Sequence, residues 1–265
     1  MNPMTLIDTH CHLDAAEFDE DRDAVADAAR QAGVSVIVVP AVERANFGAV
    51  ASVCRDQPGC AAAYGIHPLY VARARAEDLA ALHATVMREN PVAVGEIGLD
   101  RFVDEGDPAV RDATQMHYFI EQLNIAKTAQ LPVILHVRQA IDPVLQQLRR
   151  IKLAGGIAHA FNGSQQQAEE FIKLGFKLGF GGAMTYPRAR KIRQLAASLP
   201  LDAIVLETDA PDMSPEWKVG ARNTADQLPR IAECLAGLRG VPLEVIAQTT
   251  TANAIQVLPG LARFF

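Results

Sequence analysis

The sequence predicts a (β/α)8 TIM barrel, and three observations predict it. Eight short β-branched or apolar runs alternate with longer segments of helical period along a chain of 265 residues. Eight strand-helix units of roughly 33 residues each fill that length, joined by right-handed crossovers. The ends of most of the runs carry histidine or carboxylate, as expected of the barrel face where the functional loops meet. An open doubly wound sheet is the competing architecture.

The runs span residues 6–10, 34–40, 61–66, 92–98, 132–137, 156–161, 176–181 and 203–208. After the fourth, Val110, Ala113, Met116, Ile120, Leu123 and Ala126 step by threes and fours, which lays one apolar stripe along a helix. The acidic stretch Glu17, Asp19, Glu20, Asp21 and Asp23 is expected to cap and solvate the first helix. No Gly/Ser/Pro linker, charge block or repeat interrupts the pattern, so residues 1–265 are expected to form one domain.

Composition narrows the function classes. Apolar residues make up 49% and charged residues 21%, which excludes disordered, collagen-like and coiled-coil chains. The net charge of -6 argues against a surface dedicated to coating nucleic acid and leaves room for a local basic cleft. Cys11, Cys54, Cys60 and Cys234 have no C-x-x-C spacing and read as reduced thiols. With no apolar run of about 18 residues and no basic segment leading an apolar stretch at Met1 to Leu6, a cytoplasmic, untargeted protein with no obligate protein partner is expected.

The chemistry sits at the strand ends. The first run ends in Asp8-Thr9-His10-Cys11-His12, and alternation puts Asp8, His10 and His12 on one face, with Cys11 turned toward the helices. The third ends at His67, the fourth holds Glu96, the fifth His136 and Arg138, the sixth His159, and the eighth Glu207 and Asp209. A lone histidine at such a position is ordinarily a hydrogen-bonded core residue. Four histidines, a glutamate and an aspartate on one rim would leave unsatisfied polar atoms and repelling carboxylates costing about 1 to 3 kcal/mol each, unless a cation joins them.

Nitrogen and carboxylate donors without thiolate suit Zn2+, Mn2+ or a similar divalent ion such as Mg2+, and six donors exceed what one tetrahedral zinc needs. Two ions are expected, with Glu96 bridging the His10/His12 pair and the His136/His159 pair and Asp209 completing the first site. Ions roughly 3.5 to 4 Å apart bring a shared water toward ionisation at neutral pH, so the expected reaction is hydrolysis by a metal-bridged hydroxide, with Asp209 as general base.

Several motifs in register resemble the TatD family of metal-dependent hydrolases, a branch of the amidohydrolase-like barrels. They are Asp8-Thr9-His10-Cys11-His12-Leu13-Asp14, Gly65-Ile66-His67-Pro68, Gly95-Glu96-Ile97-Gly98-Leu99-Asp100, Pro132-Val133-Ile134-Leu135-His136, His159-Ala160-Phe161-Asn162-Gly163, Glu207-Thr208-Asp209-Ala210-Pro211 and Thr249-Thr250-Thr251-Ala252-Asn253-Ala254. The resemblance implies a dinuclear site on His10, His12, Glu96, His136, His159 and Asp209, and a 3'-5' exonuclease or deoxyribonuclease activity on single-stranded DNA or RNA ends. Ala160 stands where such chains usually have Cys, and Thr224 follows Arg222-Asn223 where Pro is usual. The stretches 209–213 and 182–187 look more like the YjjV-like subgroup.

A nuclease also needs cations for phosphate. Arg138 shares the parity of His136, which puts its planar fork at the mouth; Arg222 and Asn223 on the loop after the eighth strand, and His67, are further substrate-side candidates, each with pairing to a carboxylate as the competing role. Glu207, below Asp209, is expected to support a histidine or Arg138. The alternative function is a small-molecule amide, lactone or phosphoester hydrolase using the same centre, and a non-catalytic metal-binding protein is a third. The fourth run holds no lysine that could bridge the metals after carboxylation, which favours the glutamate bridge.

Overall fold

Eight parallel strands follow one another around a barrel in chain order, each hydrogen-bonded to the next. In the computed structural model, which describes residues 5–102 and 107–265, they are β1 (Leu6–Asp8), β2 (Val34–Pro40), β3 (Cys60–Tyr64), β4 (Ala93–Asp100), β5 (Val133–Arg138), β6 (Gly156–Ala158), β7 (Phe176–Phe180) and β8 (Ile204–Leu206). Residues 1–4 of the N-terminal stretch read above for targeting lie outside the described residues. The helices are α1 (Arg22–Gln31), α2 (Phe47–Asp56), α3 (Ala76–Glu89), α4 (Pro108–Ala129), α5 (Ile141–Arg150), α6 (Gln165–Lys173), α7 (Arg190–Ser198), α8 (Leu228–Arg239) and α9 (Leu243–Val257). Among the described residues no helix is long and apolar enough to cross a membrane. The seam between β8 and β1 is closed by Thr9 N–H to the Leu206 carbonyl (3.0 Å) and Asp209 N–H to the His10 carbonyl (2.8 Å).

Alternation explains the two apolar layers. Ile7, Val36, Val38, Ala61, Ala63, Ala93, Ile134, Ile157 and Val205 pack together as the lumen filling, plugged by Val257, Leu258 and Leu261 from the C-terminal segment. The opposite faces of the strands, including Val39, Leu135, Leu178 and Leu206, pack under the helices. With the lower lumen dry, polar lumen positions are left at the C-terminal rim.

At β1, β6 and β8 the apolar run extends past the strand it contains. The chain leaves the ladder after Asp8, Ala158 and Leu206, and Ala160 (φ 44°) and Asp209 (φ 57°) lie in the left-handed region. Contrary to the alternation read from the sequence, Asp8 does not share a face with His10 and His12, because Ile7 fills the lumen and Asp8 points the other way, where it accepts Thr208 N–H (3.0 Å) and Thr208 Oγ1–H (2.5 Å) from the segment after β8, across the seam. Burial pushes the Asp8 carboxyl up to about 7.

Candidate metal centre

β5, β6 and the segment after β8 deliver their site residues by simple alternation: His136 follows Ile134, His159 follows Ile157, and Glu207 and Asp209 follow Val205. Glu96 has the wrong parity for the lumen relative to Ala93. It reaches the centre because the register against β5 shifts between Val94 and Ile97, and its N–H bonds to the Ala41 carbonyl (3.1 Å). His12 is held by its N–H to the Ala210 carbonyl (2.8 Å).

These elements bring all six predicted donors to one place. His10 Nε2 lies 3.2 Å from His12 Nε2, 3.1 Å from Glu96 Oε2 and 3.6 Å from Asp209 Oδ1. His12 Nε2 lies 3.6 Å from Glu96 Oε2 and 3.7 Å from Asp209 Oδ1. On the other oxygen, Glu96 Oε1 stands 3.0 Å from His136 Nδ1 and 3.8 Å from His159 Nε2, which is also 3.7 Å from Asp209 Oδ2. The second group is thus more open than the first.

Neighbouring groups decide which ring nitrogen of His12, His136 and His159 faces the centre. His12 Nδ1 faces the Pro40 carbonyl (3.2 Å), which can only accept, so Nδ1 carries hydrogen and Nε2 is the nitrogen that offers a lone pair to the centre once its own proton is lost. His136 Nε2 is hydrogen-bonded to Asp100 Oδ2 (2.9 Å) and His159 Nδ1 is in charge contact with Glu207 Oε1 (3.1 Å), which turns His136 Nδ1 and His159 Nε2 toward the centre. His67 is the reverse case. Its Nδ1 accepts the Leu69 N–H (3.1 Å), so its hydrogen sits on Nε2, 3.5 Å from Glu96 Oε1. His67 therefore turns toward the centre the nitrogen that keeps its hydrogen, whereas His12, His136 and His159 turn the nitrogen that can give its hydrogen up.

Asp100 behind His136 had no assigned place in the site on sequence grounds. It is fixed by α4: Gln115 Oε1 accepts the Asp100 N–H (2.9 Å), and Gln122 accepts the Ile66 N–H (2.7 Å) and donates to the Ile66 carbonyl (3.0 Å) beside His67. Gln115 and Gln122, two turns apart on one face of α4, are the sequence signal that points to it. Gly179 makes room for Glu207, since a Cβ there would stand 2.2 Å from Glu207 Oε2.

Burial and the neighbouring charges set the ionisation of the donors in opposite directions. Burial and the neighbouring His159 drive His10 well below its usual value. Burial also opposes charge on His12 and His159, yet Glu96 pushes His12 up to about 9, and Glu207 and Asp209 push His159 up to about 10. Burial would raise Glu96, but the imidazoles of His10 and His67 hold it well below the usual range. Burial lifts Asp209 to about 6.

The substrate-side candidates scatter. Arg138 is exposed at the mouth with its guanidinium 3.6 Å above the centre of the Phe102 ring. Arg222 forks onto Asp21 (2.9 and 2.5 Å), also bonds the Glu17 carbonyl, and covers Phe18. Asp21 therefore pairs with Arg222 and makes no side-chain cap on α1, contrary to the reading of the acidic stretch. Asn223 is buried and donates to the Thr208 and Asp212 carbonyls (2.9 Å each), bracing the loop that carries Asp209.

A family model described as TatD related DNase matches residues 7–259. The "Uncharacterized metal-dependent hydrolase YjjV" of Escherichia coli (strain K12) is 43% identical over 250 residues, covering 93% of this chain and 95% of that protein. The "3'-5' ssDNA/RNA exonuclease TatD" of Cronobacter sakazakii is 33% identical over 265 residues, covering 95% and 97%. The crystal structure of YJJV, a TatD homologue from Escherichia coli K12, matches with a TM-score of 0.91 at 42% identity, over 96% of this chain and 98% of that one.

Proposed function

The chain belongs to the TatD family of metal-dependent hydrolases, and on that footing we propose that it cleaves phosphodiester bonds of single-stranded DNA or RNA from the 3' end. In this reading two divalent cations, Zn2+, Mn2+ or Mg2+, would be held by His10, His12, Glu96, His136, His159 and Asp209. One observation carries the reading: His10 Nε2, His12 Nε2, Glu96 Oε2 and Asp209 Oδ1 stand 3.1 to 3.7 Å from one another over the measured pairs. Four ligands at about 2.0 to 2.2 Å around a tetrahedral ion stand about 3.3 to 3.6 Å apart. The donors are imidazole and carboxylate without thiolate, which suits these ions.

Bound there, such cations would supply a water activated at neutral pH and charge stabilisation for the phosphoryl oxygens. Asp209 is the general base: its two oxygens stand among the donors, Oδ1 3.6 Å from His10 Nε2 and Oδ2 3.7 Å from His159 Nε2, where a carboxylate oxygen can take the proton of the attacking water. Glu207 and Asp100 hold His159 and His136 in their rotations. His67 Nε2–H is aimed at the centre as a hydrogen-bond donor to a phosphoryl oxygen. Arg138 at the mouth offers a planar fork to a neighbouring phosphate.

The test is a metal-supplemented assay of the purified chain against single-stranded DNA, RNA, chromogenic phosphodiesters and carboxylic esters, beside Asp209→Asn and Glu96→Gln. Shortening of oligonucleotides from the 3' end that disappears in both variants is expected. Turnover of esters with oligonucleotides left intact would overturn the substrate assignment and favour a small-molecule hydrolase.

A further inference from the structure

From residue 171 to 201 the chain carries Lys173, Lys177, Arg188, Arg190, Lys191 and Arg193 and not one Asp or Glu. Removing these six from the 25 cations of the chain leaves 19 against 31 acids elsewhere, so this segment opposes the charge of the rest. Four of the six lie between β7 and the first turns of α7, at the same end of the barrel as the candidate centre.

Contacts place that segment between the loops that carry Asp209 and His159. Tyr186 donates its hydroxyl to the Ser214 carbonyl (2.9 Å), and Thr185 Oγ1 accepts the Glu216 N–H (2.8 Å), both on the loop after β8. Lys191 Nζ donates to the Asn162 carbonyl (3.3 Å), on the loop after β6. Arg193 is half-buried and bonded to the Met184 carbonyl (2.9 Å), a structural role.

Arg188, Arg190 and Lys191 are exposed and have no carboxylate within 4.0 Å among the described residues. The other cationic cleft on the rim differs: Arg44 pairs with Asp78 (2.9 Å), Arg73 with Glu43 (2.6 Å) and Arg75 with Glu77 (3.7 Å). A polyanion there would have to displace carboxylates, whereas on the β7 side it displaces only counterions. Arg190 and Lys191 also sit in the first turn of α7, which holds no acidic residue, against the positive end of the helix dipole. Arg188 lies 5.6 Å from the Tyr186 ring centre, a planar pair of the kind on which bases stack.

We infer that Arg188, Arg190 and Lys191 form a phosphate-binding strip for the part of a single-stranded nucleic acid that lies beyond the scissile bond. The inference rests on the phosphodiesterase reading above and adds the surface that strand follows.

Binding of a labelled oligodeoxythymidylate is measured by anisotropy over a range of salt, using the full chain with Asp209→Asn to stop turnover. Adding Arg188→Ala, Arg190→Ala and Lys191→Ala together is expected to weaken binding and to flatten the slope of log Kobs against log salt by about 2, at about 0.7 per phosphate contact on single strands. The swap Arg188→Lys, Arg190→Lys, Lys191→Arg is expected to restore the slope, which separates loss of charge from misfolding. Arg44→Ala with Arg73→Ala is expected to leave the slope in place. An unchanged slope and affinity in the alanine variant, failure of the charge-preserving swap to restore them, or absence of oligonucleotide binding by the parent overturns the strip. The parent reading fails separately, when the wild-type chain hydrolyses chromogenic diesters and leaves bound oligonucleotides intact.

Discussion

Replacing Asp100 by asparagine removes one acceptor from a position that uses two. Asp100 Oδ1 accepts the Phe102 N–H at 2.8 Å, Oδ2 faces His136 Nε2 at 2.9 Å, and the residue is fully buried. Asparagine has a single carbonyl oxygen, so whichever way its amide is turned, one N–H meets an NH2 group. A buried donor left without an acceptor costs about 1 to 3 kcal/mol. Loss of the group behind a ligating histidine costs about 10- to 100-fold in metal affinity, which at 1.4 kcal/mol per tenfold covers the same range. Near the middle, about 2 kcal/mol weakens the cation held by His136 about 30-fold. The group around Glu96 Oε2 does not touch His136 and is expected to keep its affinity, and Gln115 still accepts the residue 100 N–H, so the strand end stays in place. Titration against a chromogenic chelator, with elemental analysis after dialysis, is expected to give two ions per chain for the wild type and one for Asp100→Asn, with activity returning in excess metal. Two ions held at affinities within about twofold of wild type would refute the reasoning, because a tenfold change is the least the lost hydrogen bond predicts.

Three other outcomes follow from the same geometry. His12 and His159, at about 9 and about 10, are protonated in the metal-free chain at neutral pH and must lose those protons to become ligands, so metal binding is expected to release close to two protons and to tighten as pH rises toward 9. Calorimetry in buffers of different ionisation enthalpy measures this, and release near zero would count against both assignments. Gly179→Ala puts a Cβ 2.2 Å from Glu207 Oε2, whose partner oxygen already accepts the Ala160 N–H (2.6 Å); it is expected to lower both metal content and melting temperature, and wild-type values for both would show that Glu207 does not hold His159. Arg222→Ala is expected to lower the melting temperature by releasing the loop after β8 from Asp21 while KM for single-stranded DNA stays put; the reverse pattern would place Arg222 on the substrate.

How far the sequence made all this legible depends on where the chain obeys period two. On β5, β6 and β8, an apolar lumen residue is followed two positions later by His136, His159 or Glu207, so alternation alone places them. The same rule misplaces Asp8 and would have turned Glu96 away from the lumen. His10, His12 and Glu96 arrive because the chain leaves the ladder after Asp8 and the register slips before Ile97, and both departures are held by bonds to distant segments, Asp209 N–H to the His10 carbonyl and Glu96 N–H to the Ala41 carbonyl. No local periodicity encodes such bonds. The Arg222–Asp21 fork is hidden for the same reason: a run of acids before a helix reads as a cap until the residue from the other end of the chain is seen on it. His67 is the instructive middle case. Its place at a strand end was visible, and so was the proline after it, which starts a 3-10 turn at Pro68–Tyr70. That turn aims the Leu69 N–H at Nδ1 and so fixes the proton on Nε2. The distinction between a metal ligand and a proton-bearing donor was therefore written in a His-Pro dipeptide, in terms of which ring nitrogen the backbone claims first.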